Sequence, residues 1–182
     1  MSRINLVTKD TANADQLELL DAIQAKLGLV PNFLKVLANS PAALRAFLGL
    51  HAIAETGSLD PQTRERIAVA IAQGNSCEYC LSAHTAIGRK AGLSNAELDA
   101  NRAGGSLDAK AAEAVVFAQA LNTHLGQVTQ AEIDAVRKAG FGDAEIVEII
   151  AHVGMNILTN LVGKASQVEI DFPKVSLEKA AA

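Results

Sequence analysis

Both cysteines of the 182-residue chain lie in one C-x-x-C-x-x-x-H motif, which is formed by Cys77, Cys80 and His84. Two thiols this close in sequence can form a disulfide and open it again by exchange with an external thiol. Their reactivity matters more than their packing, and the motif therefore predicts redox chemistry. His84 lies four residues after Cys80, so an imidazole base stands beside that thiol if the segment is helical.

The motif alone leaves open which thiol is the nucleophile. We predict a helix over about 75–92, on which the two cysteines and the histidine share about one-sixth of the circumference. Cys77 then lies in the first turn, where unpaired N–H groups and the helix dipole favour a thiolate. Cys80 lies one turn deeper, where His84 can accept its proton. The dipole favours the first cysteine and the imidazole favours the second.

A carboxylate is predicted to complete the cluster. The break at Gly74-Asn75 indicates two helices that fold back as an antiparallel hairpin. Glu65 and His84 stand about equally far from that break, so at about 1.5 Å per residue they lie level with each other. Because Glu65 shares a stripe with small apolar residues, its carboxylate needs a partner. It can orient His84 or carry protons from the thiol to a substrate; the alternative is a surface carboxylate paired with an arginine.

Three further side chains are predicted to form a pocket wall over the dithiol: Tyr79, His152 and Asn156. Tyr79 lies between the cysteines in sequence and either packs over them or donates a phenol hydrogen bond. His152 and Asn156 belong to a polar series that recurs every four residues on the apolar stretch 146–163, together with Glu148 and Asn160. The alternative is a set of satisfied polar contacts between helices or subunits. His51 and His124 are interpreted as ordinary helix-surface or helix-end residues.

The composition favours helices and argues against two classes of partner. Hydrophobic residues make up 49% of the chain, aromatic residues only 3%, and there are four prolines. The net charge is −4 without a basic stripe, which disfavours nucleic-acid binding. The N-terminus shows no signal peptide, and polar side chains interrupt the stretch 146–163, so we expect a cytoplasmic protein without a membrane partner.

The pattern along the chain predicts an all-α fold of about eight to nine helices, with the C-x-x-C hairpin at its centre. Good helix starts stand at Asn13, Ser40, Asp60, Ser94 and Thr129. We expect a single domain over 1–182, with a core of about 13–170 and a tail, 171–182, that is frayed or used in a contact. The segments beginning at Ser94 and Thr129 match without gaps at an offset of 35 residues. Either good helix starts look alike, or a helical unit is duplicated.

A structural zinc site is the main alternative for the motif. Zinc prefers four ligands at such sites, and the motif supplies three without a further cysteine in the chain. A distant histidine would have to supply the fourth, whereas the usual zinc patterns pair two such halves. The sequence therefore favours a dithiol without a metal.

The string Glu65-x11-Cys77-x-x-Cys80-x-x-x-His84 resembles the alkylhydroperoxidase D-like proteins of the carboxymuconolactone decarboxylase superfamily. The segments 27–50 and 144–173 resemble the peroxidase-related branch of that family. The resemblance implies an all-helical fold, a homo-oligomer (trimer or hexamer), and reduction of hydroperoxides by a dithiol without haem, metal or another cofactor. Carried over by position, Cys80 is the peroxidatic thiol and Cys77 the resolving one.

The resemblance also implies that Glu65 and His84 form a proton relay, and that a thiol or lipoyl-type partner reduces the disulfide. The best-known peroxidase members carry a second histidine where this chain has Tyr79, so turnover is expected to be weaker or the substrate different. The alternatives are a disulfide reductase, a redox-responsive interaction module without activity, and a decarboxylase-like or metal-binding member.

Overall fold

The computed structural model describes residues 2–177, which form nine α-helices and, within that range, no strand. The predicted all-α class is confirmed. The helices are α1 (Ala14–Leu27), α2 (Asn32–Leu37), α3 (Pro41–Ala54), α4 (Pro61–Gly74), α5 (Glu78–Lys90), α6 (Asn95–Arg102), α7 (Ala109–Thr123), α8 (Gln130–Lys138) and α9 (Asp143–Ser166).

Most helices begin where their capping residues predict. Asn13 and Thr129 each form a reciprocal capping box, and the Asp60 side chain accepts a hydrogen bond from the backbone N–H three residues on. Ser94 caps α6 in the same way, but Glu97 does not return the bond, because its carboxylate is bound to Arg66 instead. Ser94 and Glu97 have the spacing of a capping box, and only one of its two hydrogen bonds is formed.

One predicted helix start was wrong. The helix that carries the dithiol begins at Glu78, so Cys77 is its N-cap and lies outside the first turn. The cause is Ser76, whose φ of 54° is left-handed and breaks the helix before the motif. The long C-terminal helix, Asp143–Ser166, contains the apolar stretch 146–163 that predicted a buried helix.

Helix α4 is the centre of the molecule and packs against α5, α6, α7 and α9. Its Ile67 and Ile71 belong to one apolar core with side chains of α7, α8 and α9. Its Val69 belongs to a second core, which contains both cysteines and side chains of α1 and α2. The predicted central hairpin is thus α4 and α5, and each side of α4 faces a different core.

Helix α9 is long and apolar enough to cross a membrane, since its most apolar 18 residues have a mean hydropathy of 1.5. It packs against α3, α4, α5 and α7. Its buried side chains include Ile149 and Val153, which belong to the core shared with α4. It is thus a core helix of this domain, as its polar side chains predict.

The tail is held against α5 over residues 171–177. Asp171 accepts a hydrogen bond from the Tyr79 hydroxyl at 2.9 Å, and the Val175 N–H donates to the Ser82 hydroxyl at 3.0 Å. Of the two behaviours expected for the tail, this part is used in a contact. The rest of the predicted tail, 178–182, lies outside the described residues.

Candidate active site

The α4–α5 hairpin brings Glu65 and His84 together, at the level that their distance from the turn predicts. Glu65 Oε2 accepts a hydrogen bond from His84 Nδ1 at 2.9 Å, and the two side chains are 15% and 22% exposed. Burial lowers the pKa of His84, but the neighbouring Glu65 carboxylate outweighs burial and raises the pKa above its ordinary value. The pair can therefore hold a proton on the imidazole near neutral pH.

The two cysteines are free thiols at the N-terminus of α5, and both are buried. Cys77 Sγ accepts a hydrogen bond from the Cys80 backbone N–H at 3.4 Å, which is the N-cap position usually held by an oxygen. Among the described residues, neither sulfur is hydrogen-bonded to His84. The charge of His84 nevertheless lowers the pKa of Cys77.

The two thiols differ in acidity because they share a proton. The hydrogen bond from the Cys80 thiol, the backbone N–H and the nearby charges of His84 and Lys164 lower the pKa of Cys77. Donating that hydrogen bond and being buried raise the pKa of Cys80. In the reduced pair Cys77 is therefore the more acidic thiol, and Cys80 holds its proton more firmly.

A cavity of about 410 Å³ opens beside the pair, and only one of the two sulfur-bearing residues lines it. Cys80 lies on the wall, together with Glu65 and His84, whereas Cys77 does not. Most of the remaining wall is apolar, with side chains from α1, α2, α3, α9 and the tail, including Phe33, Phe47, Leu48, Met155 and Phe172. The cavity can hold a small organic molecule against Cys80.

The three predicted wall residues, Tyr79, His152 and Asn156, all line this cavity. The Tyr79 hydroxyl accepts from the Phe33 N–H at 3.2 Å and donates to Asp171 at 2.9 Å. Burial raises the pKa of this phenol above its ordinary value. Tyr79 therefore holds α2 and the tail against α5. Because its hydroxyl keeps its proton and is already hydrogen-bonded on both sides, it is not a base for the thiols.

His152 enters the cavity from α9, opposite the hairpin. Burial and the charge of His84 lower its pKa to about 4. It is a neutral imidazole at neutral pH, and it can donate or accept one hydrogen bond to a molecule in the cavity.

The polar series of α9 divides into separate roles. Glu148 does not reach the cavity; its carboxylate accepts from the N–H groups of Ser58 and Leu59 at 2.9 and 2.7 Å. The Asn156 amide donates to the His152 carbonyl at 2.9 Å and lies on the cavity wall. Asn160 lies next to the Cys80 thiol instead.

Sequence reasoning missed two residues of the site. His51 was interpreted as an ordinary helix-surface residue, but it lies at the cavity wall with 47% of its side chain exposed. Gly163 was read only as the end of an apolar stretch. It packs so closely on the dithiol that an added Cβ would lie 3.1 Å from Cys77 Sγ and 3.5 Å from Cys80 Sγ. Neither contact has a local sequence signal, because both depend on helix packing.

A metal site is the alternative interpretation of the motif. Within residues 2–177, no three His, Cys, Asp or Glu side chains converge as metal ligands.

Fold and site together define an all-α protein with a buried dithiol at the wall of an apolar cavity, next to a carboxylate–imidazole pair. The family model of the carboxymuconolactone decarboxylase family matches residues 41–123, which include Glu65, both cysteines and His84. This match and the similarity to solved AhpD-like structures support the carboxymuconolactone decarboxylase and AhpD superfamily for this chain. A comparison with curated proteins found no match.

Solved structures share the fold over nearly the whole chain. An uncharacterized peroxidase-related protein from Silicibacter sp. TM1040 is 27% identical with a TM-score of 0.82, covering 92% of this chain and 91% of that one. An uncharacterized peroxidase-related protein with an alkylhydroperoxidase AhpD core, from Ralstonia eutropha JMP134, is 26% identical with a TM-score of 0.83, covering 93% and 92%. The debrominase Bmp8 is 17% identical with a TM-score of 0.75, covering 92% and 91%, and shares the fold.

Proposed function

We propose that this protein is a dithiol-dependent reductase of organic hydroperoxides, with Cys80 as the attacking thiol. One observation carries the proposal: Cys80 lines the apolar cavity beside Glu65 and His84, whereas its partner thiol does not. A hydroperoxide in the cavity meets only one sulfur. The peroxidase-related proteins that share 26–27% of the sequence support the same class of reaction.

The first step resolves the conflict between acidity and access. Cys77 is the more acidic thiol but lies behind the wall, so its thiolate accepts the proton of Cys80 as the peroxide approaches. The Cys80 thiolate then attacks the terminal oxygen of the hydroperoxide, and the O–O bond breaks. The products are a sulfenic acid on Cys80 and an alkoxide, which takes a proton from the His84–Glu65 pair and leaves as an alcohol.

The second step closes the disulfide. The Cys77 thiol gives up its proton and attacks the Cys80 sulfur, and the hydroxyl leaves with a proton as water. Both cysteines are oxidised, and the peroxide has gained two electrons. A thiol or lipoyl-type reductant then attacks the disulfide and restores two thiols by exchange.

The environment of Tyr79 supports a single pair, Glu65 and His84, as the group that transfers protons. Its phenol is bound to Asp171 and has a raised pKa, so it does not replace a second histidine as a base. We therefore expect slower peroxide turnover than in members with two histidines, with the Glu65–His84 pair as the proton source.

Mass spectrometry after one equivalent of cumene hydroperoxide tests the chemistry. The reduced protein is expected to lose two hydrogen atoms across Cys77 and Cys80, and cumyl alcohol in place of the peroxide is the matched control. In Cys77→Ser, a good N-cap replaces the resolving thiol, and a sulfenic acid is expected on Cys80. Thiols that stay unchanged reject the function, and a sulfenic acid found only on Cys77 in Cys80→Ser reverses the assignment.

Self-association completes the proposal. The resemblance implies a homo-oligomer, and α9 presents one exposed apolar face, formed by Val147, Ile150, Leu158 and Leu161. A second copy of the chain is the occupant we propose for this face. Light scattering of the protein and of Leu161→Glu tests it: a multiple of the chain mass that falls in the variant is expected, and a monomer in both rejects it.

A further inference from the structure

A buried donor lies beside Cys80 and has no role in the steps above. Asn160 of α9 is 2% exposed, and its amide nitrogen Nδ2 has no hydrogen-bond partner among the described residues. The amide lies next to the Cys80 thiol. Leaving a buried N–H group unpaired is costly, which is why nearly all such groups in folded proteins have an acceptor. The missing acceptor of Asn160 is the starting point of the inference.

The orientation of the amide is fixed from its other end. Asn160 Oδ1 accepts a hydrogen bond from Asn75 Nδ2 at 2.9 Å. Asn75 is itself held by Asn122, since the two amides exchange hydrogen bonds of 3.1 and 2.8 Å. The Asn75 carbonyl also accepts from Lys164 at 2.6 Å. Because Oδ1 of Asn160 is bound to Asn75, Nδ2 is the amide atom left to meet the neighbouring Cys80 thiol.

The same face of α9 holds both sulfurs in place. Gly163 lies one turn after Asn160, so the two residues are neighbours on the helix surface. An added Cβ at Gly163 would lie 3.1 Å from Cys77 Sγ and 3.5 Å from Cys80 Sγ. The dithiol therefore rests on α9 at the level of the Asn160 amide.

The other polar neighbour of Cys80 on α9 cannot take the same role. Thr159 lies next to the thiol, but its hydroxyl donates to the Asn156 carbonyl at 2.9 Å. A hydroxyl has one proton to donate, so the oxygen of Thr159 can then only accept. Of these two neighbours of Cys80 on α9, Asn160 is the one whose side-chain N–H has no acceptor among the described residues.

We propose that Asn160 donates a hydrogen bond to the Cys80 sulfur when that sulfur is negatively charged, and that Asn75 and Asn122 position it. The thiol form is a weak acceptor, whereas loss of its proton creates a strong one, so the donor is prepared for the reactive state. The inference takes from the proposed function only the choice of Cys80 as the attacking thiol.

The measurement is the pKa of Cys80, so the other titratable groups around it must stay constant. They are Cys77, Tyr79 and His84 from α5, Glu65 from α4, His51 from α3, and His152 and Lys164 from α9. Only Cys77 is removed, as Cys77→Ser, which leaves Cys80 as the sole cysteine and keeps a good N-cap. All variants below carry this change.

The test is the pH dependence of Cys80 alkylation by iodoacetamide, which requires no peroxide. Asn160→Ala removes the donor, and Asn160→Asp also keeps an oxygen for Asn75. A hydrogen bond to a charged group is worth enough to move a pKa by about one unit or more. We expect the pKa of Cys80 to rise by about one unit in Asn160→Ala and further in Asn160→Asp, with alkylation about tenfold slower at a pH below the pKa.

Asn101→Ala is the matched control, because Asn101 is also a buried asparagine but bonds to Glu97 and the Gly105 carbonyl. It is expected to lose stability without moving the pKa of Cys80. Asn75→Ala leaves Asn160 present but unheld, and is expected to give a smaller rise; it decides the matter if the Asn160 variants do not fold.

An unchanged pKa in folded Asn160→Ala, or a rise of the same size in Asn101→Ala, overturns the proposal. Failure of the proposed function shows itself separately. In that case the chain reduces no hydroperoxide, while the alkylation pKa still responds to Asn160.

Discussion

Two adjacent residues of α4, Glu65 and Arg66, each form an ion pair across a buried surface, and the pairs differ in what surrounds them. Arg66 Nε donates to Glu97 at 2.7 Å, and that carboxylate also accepts from Asn101, Ser106 and the Leu107 N–H. Burial raises the pKa of Glu97, but these hydrogen bonds outweigh it and lower the pKa to about 2. This carboxylate is saturated with donors and fixed in one charge state.

Glu65 has a different environment one residue away. Its carboxylate is bonded to His84 alone among the described residues, and both side chains line the cavity. Its partner is an imidazole, which can change its charge state, unlike an arginine. Burial and pairing are therefore common to both carboxylates. Incomplete hydrogen bonding, an imidazole partner and an adjoining cavity distinguish Glu65 from Glu97.

Breaking the cavity pair is expected to give the largest effect. Glu65→Gln removes the charge that keeps His84 protonated, so peroxide reduction should fall by about 100-fold, the usual minimum for loss of a general acid. The unfolding temperature should fall less than in Glu97→Gln, because the Glu65 carboxylate lies at the cavity wall and makes fewer hydrogen bonds. Initial rates of cumene hydroperoxide consumption and a thermal melt measure both. Wild-type activity in a folded variant would remove this pair from the mechanism.

The converse variant should reverse the pattern. Glu97→Gln leaves Arg66 buried without its counter-charge, and breaking a buried pair in this way costs about 3 kcal/mol. Urea unfolding should show this loss, while activity per folded molecule stays within about twofold, since Glu97 lies outside the cavity wall. A large fall in activity with unchanged stability would contradict the division of roles.

The pH dependence of stability should separate the two pairs in sign. The folded pKa of Glu97 is about 2 against an ordinary value of 4.5, so its contribution is complete above 4.5 and is lost as pH falls toward 2. The folded pKa of His84 is raised above 6.5, so its contribution is complete below 6.5 and is lost as pH rises through the folded value. Urea unfolding across this pH range in wild type, Glu97→Gln and His84→Gln tests the assignment. Glu97→Gln should remove only the loss of stability at low pH, and His84→Gln only the loss at high pH. A variant that removes the other loss contradicts the assignment.

The smallest expected effect concerns the turn that sets the cavity pair level. Ser76 has a φ of 54°, a conformation that costs a residue with a Cβ about 1 kcal/mol and glycine little. Ser76→Gly should therefore stabilise the protein by up to about 1 kcal/mol in urea unfolding. Leu125, an exposed residue with a φ of 51°, supplies the control in Leu125→Gly. A loss of stability in Ser76→Gly alone would mean that the serine hydroxyl supports the turn.

The comparison also shows how far the sequence reaches. The contact of Glu65 with His84 followed from their equal distance to a helix break, and the capping residues of α1, α4 and α8 followed from local rules. These features depend on a few neighbouring residues, so they can be predicted. Whether the helical unit is duplicated, and which roles the site residues have, stay predictions.

What sequence reasoning missed depends on contacts between distant segments. Glu97 stands three residues after Ser94, where it would complete a capping box, but Arg66, 31 positions earlier, binds its carboxylate instead. Cys77 looked like a first-turn residue, although the left-handed Ser76 makes it the N-cap. Gly163 has no local signal at all, because its importance lies in the sulfurs that pack on it.

The wall of the cavity has an evolutionary consequence. The dithiol, Glu65 and His84 all lie within the family-matched residues 41–123, whereas Phe33, Met155 and Phe172 come from outside that segment. Substitutions in the flanking helices and tail can therefore change the shape of part of the cavity and leave the dithiol, Glu65 and His84 unchanged.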